Sequence, residues 1–222
     1  MMYSFANRSD FEAVDEPFYA SYLNYTGLNH PMREDILSSQ STDPREVINM
    51  LIGEQKTAST SQYQKHMTQQ MSAESPRNWM LDVTNVFLVR HPVRVVASFS
   101  KKCPNLEIKD IGFSQQVALF KYLKNAGKNP LVLNSEDLRE NPEKMLIQLC
   151  DRLGIEFQSA MLRWPKGGMS CDGIWAPHWY GAVHKSCGFD NKEGALPSIT
   201  GSLSDIANQA LPDYEFMLTH SI

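Results

Sequence analysis

Between Thr84 and Arg90 the chain reads Thr-Asn-Val-Phe-Leu-Val-Arg, a short and nearly continuous apolar run. Such a run predicts a strand buried on both faces, as in a parallel sheet. His91-Pro92 ends it, and the proline can open the helix that follows. Phe113, Val117, Phe120 and Leu123 then recur at helical spacing and stop before Gly127, so a helix is predicted over 111–126. Leu131-Val132-Leu133 predicts a second short buried strand. Asn141-Pro142 opens another helix, with Met145, Leu146, Leu149, Cys150 and Leu153 on its apolar face and Gly154 closing it. Nearer the start, Asp43 before Pro44, with Glu46 in the first turn, predicts a capped helix. Phe11 to Val14 and the residues before Lys65 are strand-like.

Strands alternating with amphipathic helices imply βαβ units, hence an α/β fold with a mainly parallel sheet flanked by helices. Past about residue 160 the pattern turns to Trp, Gly, His and Pro without clear period, so 160–222 is expected to be loop-rich. No repeat or linker stands out, and 222 residues suit a single domain.

Composition acts mainly by exclusion. With 21 Lys+Arg against 25 Asp+Glu, the net charge of −4 argues against a protein that coats nucleic acid. No apolar run is long enough to span a bilayer and no leader opens the chain, so a cytoplasmic protein without membrane partners is expected. Cys103, Cys150, Cys171 and Cys187 follow no metal or disulfide spacing, and His178 and His184 have no plausible third ligand, so no metal is expected.

The most informative stretch is Phe87 to Ser98. Arg90 leaves the carboxyl end of a strand, where open α/β sheets bind ligands, and Ser98 follows on the second turn of a helix. Together they can hold a phosphate by charge and forked hydrogen bonds. The sequence equally allows an Arg90 that pairs with a neighbouring acid and a Ser98 that merely packs.

These residues resemble the sulfotransferase superfamily, whose members use 3′-phosphoadenosine 5′-phosphosulfate as sulfuryl donor. The family's 3′-phosphate motif sets Ser eight residues after Arg, as Arg90 and Ser98 are set here. Leu133-Asn134-Ser135-Glu136-Asp137-Leu138, through Asn141-Pro142 to Leu153-Gly154, is similar to the family's strand–Glu-Asp-Leu–Pro–helix–Leu-Gly segment. Lys65-His66 is similar to the Lys and His closing its third strand. Asp-Glu-Pro-Phe-Tyr at Asp15 to Tyr19 resembles small bacterial and plant-type members. The likeness covers most of residues 10–190.

The resemblance implies a P-loop-NTPase-like sulfotransferase fold and transfer to a hydroxyl of a small molecule or sugar, with no metal. It implies Glu16 or His66 as base, Lys65 beside the leaving 5′-phosphate, and Arg90 with Ser98 on the 3′-phosphate. Lys166, in Arg163 to Gly168, is loosely similar to a late loop over the nucleotide. Structural ion pairs for Glu16, a strand-end hydrogen bond for His66 and a solvated Lys65 remain open. Trp175, Trp179 and Tyr180 are either acceptor-pocket or core aromatics.

The resemblance also places Met1 inside the family's first helix. The first strand and its Gly/Ser/Thr-rich phosphate loop are therefore expected to be lacking, either because the native start lies upstream or because the protein is degenerate. Donor binding by such a chain is expected to be weak. A non-catalytic protein that binds adenosine 3′-phosphate is the alternative. A nucleotide-kinase-like phosphotransferase is less favoured, because it needs a Gly-Lys-Ser/Thr loop and a metal-holding Asp.

Overall fold

Two pairs of parallel strands organise the chain. The computed structural model describes residues 1–53, 61–71, 75–189 and 192–222. In chain order the elements are α1 (Met2–Ala6), β1 (Phe11–Asp15), α2 (Tyr19–Thr26), α3 (Arg33–Ser39), α4 (Pro44–Ile52) and β2 (Ser61–Lys65). Next come β3 (Val86–Val89), α5 (Pro92–Phe99), α6 (Phe113–Asn125), β4 (Leu131–Asn134), α7 (Ser135–Glu140) and α8 (Pro142–Leu153). α9 (Ala176–Trp179) and α10 (Ser202–Leu218) follow. Packing divides them into two units, Met1–Trp79 with Glu156–Phe189, and Met80–Ile155 with Asp190–Ile222.

In the first unit β1 and β2 run parallel with Asp15 opposite Lys65. The connection between them carries α2, α3 and α4, as a parallel crossover requires. α4 starts where the sequence predicts, because Asp43 Oδ1 accepts the Arg45 N–H at 2.8 Å. Phe5 stacks on Tyr63, centroids 4.7 Å apart, and meets Phe11 edge-on, which fastens α1 to both strands. Leu23, Ile36 and Trp175 fill the core beside Met2, Tyr3, Trp164 and Tyr180. Burying each such side chain contributes about 1.5–3 kcal/mol. Trp175 is 2% exposed, so this indole belongs to the core. The late segment reaches this unit through polar ties. Buried Arg8 donates to the Glu156 carbonyl, and Asn7 donates to the carbonyls of Ala160 and Arg163.

In the second unit β3 and β4 are parallel with Val89 opposite Asn134. His91 Nδ1 accepts the Val93 N–H and Pro92 takes the first position of α5, so the motif's His-Pro is a helix start. β4 runs directly into α7, whose first turn is capped by Asn134 Oδ1 accepting from Glu136 N. Phe87 and Val89 are buried, but Val86 and Leu88 are about two-fifths exposed. β3 is thus covered on one face only, whereas its unbroken apolar run predicted two.

The expectation of a loop-rich 160–222 needs correction. Its last part is a 17-residue helix, α10, packed on α5 through Ile206, Ala207 and Val96. Ile206, Ala207, Ala210, Tyr214 and Met217 supply the buried stripe. Pro212 inside the helix removes a backbone donor and is ordinarily a breaker, which hid that periodicity.

Candidate active site

Asp15 and Glu16 lie side by side in sequence, and the strand register brings Lys65 to both. Lys65 Nζ donates to Asp15 Oδ1 at 3.1 Å and closely to Glu16 Oε1. The strand ladder continues one residue further, Glu16 N donating to the Lys65 carbonyl at 2.9 Å. Glu16 has φ +39°, in the left-handed region that non-glycine residues seldom occupy. Gln70 Nε2 donates to Glu16 Oε2 at 2.6 Å and Gln40 Nε2 to the Glu16 carbonyl at 3.1 Å. Such a backbone persists only where the surrounding contacts over-determine it.

Tyr180 completes the cluster. Its oxygen accepts from Lys65 Nζ at 2.6 Å and from Trp175 Nε1 at 3.3 Å. Its single proton goes to Asp15, whose oxygens lie 2.7 and 2.8 Å away, with Glu16 Oε1 at 3.1 Å. Burial, then the charges of Glu16 and Asp15, drive the phenol far above its ordinary pKa, so it remains a donor. Burial raises the Asp15 carboxyl; the Lys65 charge opposes this, the Glu16 charge adds to it, and the net shift is upward. Burial alone would lower Lys65, but the two carboxylates reverse this and keep it an ammonium.

Gly173 N donates to Asp15 Oδ2 at 3.0 Å, joining the loop after Met169 to the cluster. Asp172 Oδ2 in that loop accepts from Tyr3 Oη at 2.6 Å and meets His184 Nε2 at 2.9 Å. His184 is therefore a partner of a carboxylate. Lys166 is exposed in the same unit.

His66 follows Lys65 but turns elsewhere. Its ring packs on Phe18 and Trp79, centroids 5.6 and 5.4 Å away. Nε2 meets Gln64 Oε1 at 3.1 Å, and Nδ1 has no hydrogen-bond partner among the described residues. Burial, helped by the Lys65 charge, lowers its pKa to about 4, so the ring is neutral near pH 7.

In the second unit the sequence-predicted Arg90 stands just past β3, and Ser98 is exposed on α5. Arg90 forms an ion pair with Glu193, one of the two arrangements the sequence left open. Arg94 Nε reaches Glu193 Oε2 at 3.1 Å and Glu136 Oε1 at 3.0 Å, while Arg139 Nε lies 3.9 Å from Glu193 Oε1. Sequence reasoning missed Arg94, Arg139 and Glu193. Arg94 could have been found from its place one turn after Arg90, but Glu193 sits in a stretch with no periodicity.

The fold is of α/β type, with clusters of paired charges at the strand ends. Residues 1–221 match the family described as the sulfotransferase domain, and the chain belongs to that family. Two Arabidopsis thaliana proteins, branched-chain-amino-acid aminotransferase-like proteins 1 and 2, are 35% and 33% identical to it over 223 residues. The alignment covers 99% of this chain and 39% of each of them, so the chain spans about two-fifths of their length. A solved sulfotransferase domain from the curacin biosynthetic pathway is also similar, with 16% identity and a TM-score of 0.46, over 85% of this chain and 76% of that one.

Proposed function

We propose that this chain transfers a sulfuryl group from 3′-phosphoadenosine 5′-phosphosulfate to a hydroxyl of a small molecule or sugar. The observation that carries the reading is the Glu16 carboxylate held against Lys65 at the end of a parallel strand pair in a chain of the sulfotransferase family. The donor supplies an activated sulfuryl group. Glu16 takes the proton of the acceptor hydroxyl as that oxygen bonds to sulfur, and the bond from sulfur to the 5′-phosphate oxygen breaks. Lys65 meets the charge left on that phosphate. Oε1 accepts from Lys65 and Oε2 from Gln70, while the Tyr180 proton goes to Asp15, so the Glu16 carboxylate keeps a lone-pair direction for the incoming proton.

His66 is the weaker candidate for base, since its ring faces Phe18 and Trp79 and its pKa of about 4 leaves little basicity. Arg90 and Ser98 are assigned to the donor's 3′-phosphate. The chemistry of the donor set fits, because Arg90 already engages an oxyanion, the Glu193 carboxylate.

The test pairs calorimetry with 3′-phosphoadenosine 5′-phosphate and transfer of labelled sulfate from the donor to a panel of hydroxyl acceptors. Nucleotide binding lost in Arg90→Ala and transfer lost in Glu16→Gln are expected. No nucleotide binding by the chain would overturn the reading. Binding without transfer to any acceptor would replace it by the non-catalytic one.

A further inference from the structure

Gln70 uses one end of its amide on Glu16 and leaves the other end idle. Its Nε2 donates to Glu16 Oε2 at 2.6 Å, while its Oε1 is buried and has no hydrogen-bond partner among the described residues. The residue closes a short 3-10 turn, Thr68–Gln70, and is only 5% exposed. Buried polar atoms are ordinarily bonded, so an idle amide oxygen beside a carboxylate calls for a cause.

A proton arriving on Glu16 changes what that carboxyl needs. The carboxylate needs donors, and Lys65 and Gln70 supply them. The carboxylic acid carries an O–H, which needs an acceptor in the same buried place. Lys65 cannot accept. The Tyr180 oxygen already accepts from Lys65 and Trp175, and the Asp15 oxygens from Lys65, Gly173 N and Tyr180. Gln70 Oε1 is the idle acceptor on a side chain that already touches Glu16.

The two ends of a glutamine amide have nearly the same shape, so a half-turn about the last side-chain bond puts Oε1 where Nε2 stands. The separation of 2.6 Å is short for N–H···O and ordinary for O–H···O, so it suits the turned amide as well.

We propose that Gln70 is a positioning residue for the base: it donates to Glu16 Oε2 while that group is a carboxylate and, after its amide turns, accepts from the Oε2 hydroxyl through Oε1 once the proton has arrived. This rests on the reading that Glu16 is the base. The acceptor's O–H bond breaks as the Oε2–H bond forms, and the proton passes to water when product leaves. The amide then turns back, and Gln70 itself exchanges no proton.

The other charged or titratable groups facing Glu16 are Asp15 on β1, Lys65 on β2, Tyr19 on α2 and Tyr180 after α9. Burial and then the Glu16 charge raise both phenols, and Lys65, which burial would lower, is raised by Glu16 and Asp15. Of these only Asp15 also titrates on acidification. His66, four residues before Gln70, does so too, with its pKa lowered by burial and the Lys65 charge to about 4. Glu16→Gln separates their effects from that of Glu16.

Proton–nitrogen NMR of the Gln70 side-chain amide in the full chain, assigned by the signals lost in Gln70→Met, tests this without turnover. As pH falls, these signals are expected to shift in step with the Glu16 carboxyl carbon, and to stay in place in Glu16→Gln. In transfer assays, Gln70→Met is expected to lower kcat about tenfold with KM and affinity for 3′-phosphoadenosine 5′-phosphate unchanged. Amide signals that stay fixed while Glu16 titrates, or that move equally in Glu16→Gln, would overturn the proposal and leave Gln70 a static clamp. If Glu16→Gln then still abolishes transfer, the reading of Glu16 as base stands alone. Signals that follow Glu16 in a protein whose transfer is absent or indifferent to Glu16→Gln would remove both the base and its positioning residue.

Discussion

Asp15 and Lys65 face each other as the last register pair of β1 and β2, and their side chains meet at 3.1 Å. Because Glu16 follows Asp15 with a left-handed backbone, the same ammonium serves two carboxylates and the Tyr180 hydroxyl. The strand register thus brings Asp15 and Glu16 to Lys65, and Tyr180 joins them from 165 positions away.

Glu16→Gln keeps shape and most hydrogen bonds but removes the proton acceptor. Transfer is expected to fall about 10²–10⁴-fold with nucleotide affinity nearly unchanged. Comparison of turnover rate with calorimetric affinity checks this, and an equal fall in both would make Glu16 a structural residue.

Tyr180→Phe deletes an oxygen that accepts from Lys65 and Trp175 and donates to Asp15. Buried groups left without partners typically cost about 1–3 kcal/mol. Urea unfolding should show a lower midpoint with an unchanged slope. An unshifted midpoint would mean that water or a rotated side chain replaces the phenol.

The His66 ring has its pKa lowered from 6.5 to about 4, so the unfolded chain binds more protons than the folded one between those values. The contribution is therefore present above pH 6.5 and is lost as pH falls towards 4, by on the order of 1–3 kcal/mol. The raised Asp15 carboxyl acts in the opposite sense, favouring the folded state as pH falls through its own range. Unfolding measured at pH 7 and pH 5 in wild type and His66→Gln isolates the histidine. The variant should lose less stability on acidification.

Gly173 admits no side chain, since a Cβ there would lie 2.1 Å from Cζ2 of the buried Trp175. Gly173→Ala must displace that indole, at about 1–3 kcal/mol, and loosen the N–H bond to Asp15. A thermal melt reads the first effect. An unchanged melting temperature would show that the loop gives way instead of the ring.

Much of the scaffold was legible from local rules. The α4 cap at Asp43, the α5 start at His91-Pro92, the paired strands at Val86–Val89 and Leu131–Asn134 and the α8 face closing at Gly154 all formed as patterned. Glu16 and Lys65, each singled out in the sequence, meet at the ends of β1 and β2, where Asp15 is the register partner of Lys65. His66, adjacent to Lys65, parted from them because successive residues leaving a strand point to different sides.

The sequence alone determined what depends on neighbours a few residues away: helix caps, strand runs, and which charged residues end a strand. It could not choose between a phosphate and an acid as the partner of Arg90, nor assign Trp175 to core or pocket. Those choices were made by contacts of long sequence separation, Glu193 with Arg90 across 103 positions and Tyr180 with Asp15 across 165. Even α10, hidden by Pro212, is decided this way, because packing on α5 outweighs a local propensity for breakage. Tertiary structure decides where burial and charge pairing are worth more than the local preferences a sequence displays.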